Sequence, residues 1–119
     1  MKLRILGDSL RLRLSKSDVK TFAETGRVEE VTHFGPQAQM RYALVHAQDV
    51  ARLEAAFDGS EIVVRMPSSM ARGWADTDTI TLQGEHGELS LLVEKDFKCA
   101  IPRPGEEDYD GFEHPTGGC

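Results

Sequence analysis

The densest cluster of side chains capable of chemistry lies late in the chain, in the run Glu94-Lys95-Asp96-Phe97-Lys98. Side chains alternate between the two faces of an extended strand, so Glu94, Asp96 and Lys98 share one face and Lys95 shares the other with Phe97. A carboxylate pair beside a lysine can transfer protons or bind a cation. We assign Glu94, Lys95, Asp96 and Lys98 to a candidate ligand-binding site; a solvated strand end is the simpler interpretation of the same residues.

Two thiols and an imidazole follow this run, at Cys99, His114 and Cys119. Thiolate and imidazole are ligands that zinc prefers, and Asp108 or Asp110 can add an oxygen. The spacing is not that of a zinc finger, because Cys99 does not belong to a Cys-x-x-Cys pair. We therefore expect no cofactor, with zinc bound by Cys99, His114 and Cys119 as the alternative.

Nucleophilic catalysis needs a thiol or hydroxyl beside a base that a third group holds in place. Cys99 with His86 or His114 offers the residue types. No strained turn or glycine-rich phosphate loop accompanies them in the sequence. The sequence therefore favours a non-catalytic role.

The composition is that of a small acidic domain. The chain has 119 residues, 39% of them hydrophobic, and a formal net charge of −6. This charge disfavours nucleic acid and anionic membranes as partners. No segment approaches the roughly 20 apolar residues of a membrane span, and the first residues lack a signal-peptide pattern. We expect a cytoplasmic protein, monomeric or dimeric, that binds an unknown protein or small ligand and no membrane.

The chemistry-bearing residues must be positioned by short strands and helices. Alternating apolar residues predict a hairpin from Leu3 to Leu14 that turns at Gly7-Asp8. Ser15 or Ser17 can cap a following helix, and Gly26 is a residue that ends helices. Further strands are predicted at 27–33 and 39–46. The first part of the chain thus has the order β-β-α-β-β.

A shift of 52 positions superposes this unit on the second half of the chain, so that Phe22 falls on Trp74 and Ser17 on Ser69. Internal similarity of this kind indicates a duplicated unit. We predict a single domain at 1–99 with unit one at 1–47 and unit two at 51–98. The expected fold is mostly β (α+β), with pseudo-twofold β-β-α-β-β units forming a small closed or partly open barrel in which Phe22 and Trp74 are equivalent and buried.

The C-terminal tail, 100–119, is rich in proline and glycine and is therefore predicted to be irregular. Its large apolar side chains are Tyr109 and Phe112. We expect it to fold back over the body of the protein and to shield residues 94–99. Its acidic run, 106–108, would then face the basic first hairpin.

The second half resembles the AbrB-type swapped-hairpin domain. The likeness is carried by the stretch 61–72, E-I-V-V-R-M-P-S-S-M-A-R, and by the strands that follow it. In that family two chains interlace into one barrel that binds DNA. The resemblance implies a DNA-binding regulator as an alternative function, with contacts from Arg11, Arg13, Lys16, Lys20, Arg65 and Arg72. This chain departs from the family in its acidity and in Asp78, which stands where the family usually has glycine.

Nearly the whole chain also resembles a family of small bacterial proteins of unknown function. The shared motifs are M-K-L-R-I at 1–5, G-D-S-L-R-L-R-L at 7–14 and E-K-D-F-K-C at 94–99. This resemblance implies relatives but no activity. The expected function is therefore a non-catalytic binding or protein-interaction module, with DNA binding and metal binding as the alternatives.

Overall fold

The computed structural model describes residues 1–98, 104–105 and 110–113. The protein is mostly β, and its strands and helices follow the order β-β-α-β-β twice. The elements are β1 (Lys2–Leu6), β2 (Ser9–Leu14), α1 (Lys16–Thr25), β3 (Arg27–His33), β4 (Gln39–Ala47), β5 (Glu54–Phe57), β6 (Glu61–Pro67), α2 (Ser68–Asp76), β7 (Thr81–His86) and β8 (Leu89–Lys95). We call β1 to β4 with α1 the first half, and β5 to β8 with α2 the second half.

The strands form two four-stranded sheets, each of which takes one hairpin from each half. Sheet 1 has the order β1-β2-β8-β7, and sheet 2 has the order β3-β4-β6-β5. The hairpins are antiparallel, whereas the central contacts, β2 with β8 and β4 with β6, are parallel. Neither half forms a complete sheet from its own strands.

The closed form of the predicted barrel is wrong, because the two sheets remain separate. Where the sheet edges approach, the contacts involve side chains or the chain terminus instead of a ladder between strands. At one edge the Met1 amino nitrogen lies 3.0 Å from Glu30 Oε1 on β3. At the other, the Ala55 N–H of β5 donates to His86 Nδ1 of β7 over 3.1 Å. The edges therefore meet through side chains and do not close a barrel.

The core lies between the sheets and under the helices. In β2, β6 and β8, inward residues alternate with more exposed ones, as half-buried strands require. Phe22 and Trp74 are 2% and 1% exposed, and each is the seventh residue of its helix. Their ring centroids lie 6.1 Å apart in a T-shaped contact. The prediction that they are buried at equivalent positions is confirmed.

The two helices begin differently. Ser15 caps α1: its side-chain oxygen accepts from the Asp18 N–H, and the Asp18 carboxylate accepts from the Ser15 N–H. The two hydrogen bonds form a capping box. Gly26 ends the same helix in the left-handed conformation, with φ of 80°. Helix α2 follows Pro67 and has no side-chain cap. The prediction of a cap at Ser15 is confirmed, and Ser17 instead lies within the first turn of α1.

Candidate functional site

The candidate site forms where β8 ends beneath the C-terminal end of α2. Lys95 pairs with Leu14 in the parallel register and continues the inward row of Val93. Its side chain is therefore buried, and the residue is 6% exposed. The Nζ atom donates a hydrogen bond of 2.6 Å to the Thr77 carbonyl oxygen and lies 5.8 Å from the centroid of a Trp74 ring. Its charge thus contacts one carbonyl dipole and an aromatic face.

An open cavity of about 300 Å³ adjoins this lysine, and we call it the Lys95 cavity. Its lining combines one buried cation with aromatic, aliphatic and acidic side chains. The lining residues are Thr77, Asp78, Ile80, Lys95, Phe97, Phe112 and Glu113. Sites for small molecules are usually concave and largely apolar, with a few polar groups, and this cavity has that character.

Phe112 supplies one wall of the cavity from the C-terminal tail. Its N–H donates to the Asp96 carbonyl over 2.8 Å, and its own carbonyl accepts from the Lys98 N–H over 2.9 Å. Its ring centroid lies 5.6 Å from Lys95 Nζ. The prediction that the tail returns to the end of β8 is confirmed for residues 110–113. Tyr109 and the acidic run 106–108 lie outside the described residues.

Asp110 fixes this returning segment to the start of α1. The Asp110 carbonyl accepts from the Lys16 N–H over 2.9 Å, and its carboxylate accepts from the Ser17 N–H over 3.0 Å and from the Ser17 hydroxyl. The hydrogen bond from Ser17 holds the pKa of Asp110 below its usual value. Residues 110–113 therefore link the first turn of α1 to the end of β8.

Among the described residues, the Lys95 ammonium forms no ion pair and is compensated only in part by more distant acids. Burial lowers its pKa, and the more distant charges of Asp78 and Asp76 oppose that effect in part. Within the described ranges, no carboxylate lies within ion-pair distance of Nζ. A buried cation without an anionic partner is costly, so an anion in the adjoining cavity would stabilise it.

The other three predicted ligand residues do not face this cavity together. Glu94 Oε1 lies 2.8 Å from Arg13 Nε on the outer face of sheet 1. Asp96 is buried as well, because the alternation between the two faces stops where β8 ends at Lys95. Its carboxylate lies 3.1 Å from Lys2 Nζ. Lys98 Nζ lies 2.8 Å from Glu113 Oε1. Glu94 and Asp96 are thus each paired with a different cation, and their cooperation in a ligand site stays a prediction.

The basic residues named for DNA contact are spread over three surfaces. Arg11 and Arg13 lie on the outer face of sheet 1, where both approach Glu94. Arg65 lies on sheet 2 and is paired with Asp49 at 2.5 Å. Lys16, Lys20 and Arg72 are exposed on the helices. Part of this positive charge is therefore neutralised within the protein.

The predicted metal ligands Cys99, His114 and Cys119 lie outside the described residues. In the remainder of the chain, no three His, Cys, Asp or Glu side chains are close enough to hold a metal ion. His86, considered as a base for Cys99, is hydrogen-bonded to the backbone of Ala55.

Sequence reasoning missed Thr77 and Asp78 as walls of the cavity. It expected the tail, with Phe112 among its large apolar residues, to cover 94–99, but it did not assign Phe112 to a site. It also missed a second cavity of about 260 Å³ between α1 and α2, lined by Phe22 and His46 together with residues of α2.

Comparisons with other proteins assign the chain to a family. In the described residues, no helix is long and apolar enough to cross a membrane. No curated protein and no solved structure matches the chain. A family of unknown function, DUF7009, matches residues 1–116, and the chain therefore belongs to that family.

Proposed function

We propose that this protein is a non-catalytic binding module whose small ligand occupies the Lys95 cavity. One observation carries the proposal: a buried ammonium, which forms an ion pair with none of the described residues, lies at the wall of an open cavity. An apolar residue of similar length would fill the same place at lower cost, because burying a charge is unfavourable unless it is compensated. A lysine at this position is therefore better explained by ligand binding than by packing.

The ligand expected from this chemistry carries a carboxylate or a comparable anion. An anion at Lys95 forms a charge-assisted hydrogen bond in a partly desolvated site, where such bonds are strong. The aromatic side chains of Phe97 and Phe112 offer apolar contact for the rest of the molecule. Phe112 also lies on the segment that Asp110 anchors, so a bound ligand would be held between β8 and this segment.

The test compares Lys95→Met with the matched control Lys20→Met. Lys20 is exposed on α1 and does not line the cavity, so its removal changes the net charge equally without altering the site. Small carboxylates of varied shape are titrated against each protein and followed by ligand-observed NMR. We expect the unaltered protein and K20M to bind the same carboxylates, and K95M to lose at least about tenfold in affinity. The proposal fails if no carboxylate binds or if K95M binds as well as K20M.

A DNA-binding regulator of the AbrB type is the second candidate. The exchange of hairpins between halves favours it, because one chain would then imitate the two interlaced chains of that family. The duplicated units and the boundaries 1–47 and 51–98 belong to the same proposal. A gel-shift titration on random-sequence duplexes at low and high salt tests it, since phosphate contacts weaken steeply with salt. Absence of retardation at low salt would remove this candidate.

Zinc binding by Cys99, His114 and Cys119 stays a prediction as the third candidate. Elemental analysis of the purified full-length protein tests it. A stoichiometric metal would support it, and a metal-free protein after zinc addition and dialysis would contradict it.

A further inference from the structure

The lining of the Lys95 cavity combines side chains of different charge and exposure. Among the described residues that line it, Lys95 is the only cation, and it is 6% exposed. Ile80, Phe97 and Phe112 are half-buried. Asp78 and Glu113 are exposed, and we call the part of the cavity that they line its mouth. A ligand in the cavity is therefore near one buried positive group, apolar walls and exposed negative groups.

The two acids at the mouth are not equivalent. Glu113 Oε1 lies 2.8 Å from Lys98 Nζ, so its charge is already paired. In the part of the chain that the structure describes, no lysine or arginine nitrogen lies within ion-pair distance of Asp78. Asp78 is nevertheless close enough to influence Lys95 electrostatically. Asp78 is thus the carboxylate at the mouth that is available to a ligand.

This arrangement discriminates between classes of small anion. A molecule that carries only negative charge is attracted by Lys95 and repelled by Asp78. A molecule that carries only positive charge is attracted by Asp78 but brings a like charge to Lys95. A molecule with one carboxylate and one ammonium is attracted through both groups, when its carboxylate faces Lys95 and its ammonium faces Asp78.

We infer that the ligand of the Lys95 cavity is a zwitterionic amino acid with an apolar side chain, its carboxylate at Lys95, its ammonium at Asp78 and its side chain against Phe97 and Phe112. This inference rests on the proposed function, because it names the ligand class of the same site. The cavity volume of about 300 Å³ lies at the lower end of the range for ligand sites, which suits a molecule of this size.

The test uses free L-valine, L-leucine, L-methionine and L-phenylalanine, each beside two analogues. One analogue lacks the ammonium, as 4-methylpentanoate does for leucine. The other lacks the carboxylate, as 3-methylbutylamine does. For at least one of the four we expect the amino acid to bind about tenfold or more tightly than its carboxylate analogue, and the amine not to bind measurably. Isothermal titration measures each affinity.

Two substitutions locate the effect. Asp78→Asn should weaken the amino acid by about tenfold and leave the carboxylate analogue unchanged or tighter, because only the ammonium contact is lost. Asp76→Asn is the matched control: it removes a charge that acts on Lys95 from α2 but does not line the cavity. D76N should preserve the preference for the amino acid.

The possible results separate this inference from the proposed function. If carboxylates bind through Lys95 but the ammonium gives no advantage, and D78N changes nothing, the ligand class is wrong and the binding site stands. If neither amino acids nor carboxylates bind, or if K95M binds them normally, the proposed function is wrong as well.

Discussion

In each half of the molecule, the last strand ends beside the buried aromatic residue of the helix, and we call this place the helix–sheet junction. The two junctions differ in whether a further segment of the chain lies over them. His46 pairs with Met66 in sheet 2, as Lys95 pairs with Leu14 in sheet 1. His46 contacts the ring of Phe22 at 6.5 Å between centroids, as Lys95 lies over Trp74. Yet His46 is exposed, whereas Lys95 is buried.

Residues 110–113 make the difference. Phe112 lies over Lys95, and in the described chain no corresponding segment lies over His46. A basic side chain at the open junction keeps its hydration and costs little. The same position under a phenylalanine holds a desolvated charge beside a cavity. The comparison teaches that two similar helix–sheet junctions can differ in the burial of a basic side chain because a short irregular segment lies over only one of them.

The largest effect should come from removing the aromatic anchor of either junction. Trp74→Ala and Phe22→Ala each leave a cavity in the core, which typically costs about 3–5 kcal/mol of unfolding free energy. We expect W74A to cost more, because Trp74 Nε1 also donates to the Ile80 carbonyl over 3.0 Å. Urea unfolding followed by circular dichroism measures both. Equal costs would mean that the two junctions contribute alike to the free energy of unfolding, and a larger cost for F22A would contradict the prediction.

Removing the cover should come next. Phe112→Ala should lower the free energy of unfolding by about 1–2 kcal/mol, since the ring is half-buried and its segment is ordered at an entropic cost. F112A should also speed the acylation of Lys95 by an amine-reactive acylating reagent, and peptide mass spectrometry measures that rate. His46→Ala, at the uncovered junction, is the control and should change stability little. An unchanged Lys95 reactivity in F112A would contradict the role of the cover.

The helix caps should produce a smaller contrast. Ser15→Ala removes the cap of α1 and should cost about 1 kcal/mol. Ser69→Ala, at the exposed position of α2 that corresponds to Ser17, should lie within about 0.5 kcal/mol of zero. Thermal unfolding measures both changes. A cost for S69A as large as that for S15A would show that the two helix starts are equivalent after all.

The smallest effect is the pH dependence that Lys95 contributes. The pKa of Lys95 is lowered in the folded protein, so the unfolded chain holds that proton more firmly. The charged lysine therefore lowers the free energy of unfolding, and this stability penalty is present at neutral pH. The penalty is relieved as pH rises through the folded pKa towards 10.5. Lys95→Met should therefore be at least as stable as the unaltered protein near pH 7.

This advantage of K95M in stability should narrow as pH rises. The acidic groups near Lys95 among the described residues are Asp76, Asp78 and Glu113. Melting temperatures of the two proteins at about pH 7 and about pH 10 measure the difference. A K95M advantage that grows with pH would contradict the assignment.

Local pattern was enough to predict much of the fold. The turn at Gly7-Asp8, the cap at Ser15 and the end of α1 at Gly26 depend on neighbouring residues, and all three are confirmed. The match of Phe22 to Trp74 came from the internal shift, and it predicted that both are buried but not that their rings touch. The predicted features follow from sequence because their causes lie within a few residues or within the internal similarity of the chain.

The candidate site was predictable only in part, because its cause is long-range. Alternation along β8 placed Lys95 on the face of Phe97, opposite Glu94, which is correct. The apolar residues of the tail predicted that it would return over 94–99, but nothing local predicted that Phe112 would lie over Lys95, or that Asp96 and Glu94 would each contact a cation on β1 or β2. Whether the barrel would be closed or partly open was left undecided for the same reason, since closure depends on contacts between distant strands.

The exchange of hairpins between sheets has a consequence for how the chain reaches this structure. Arg13 and Glu94, which are neighbours across β2 and β8, are 81 positions apart in sequence. During synthesis, β2 has no parallel neighbour until β8 has left the ribosome, and β4 has none until β6 has left it. Contacts of such separation slow folding and leave strand edges exposed meanwhile. We therefore expect a single late, cooperative folding step, in which neither half gains lasting structure before the other has been made.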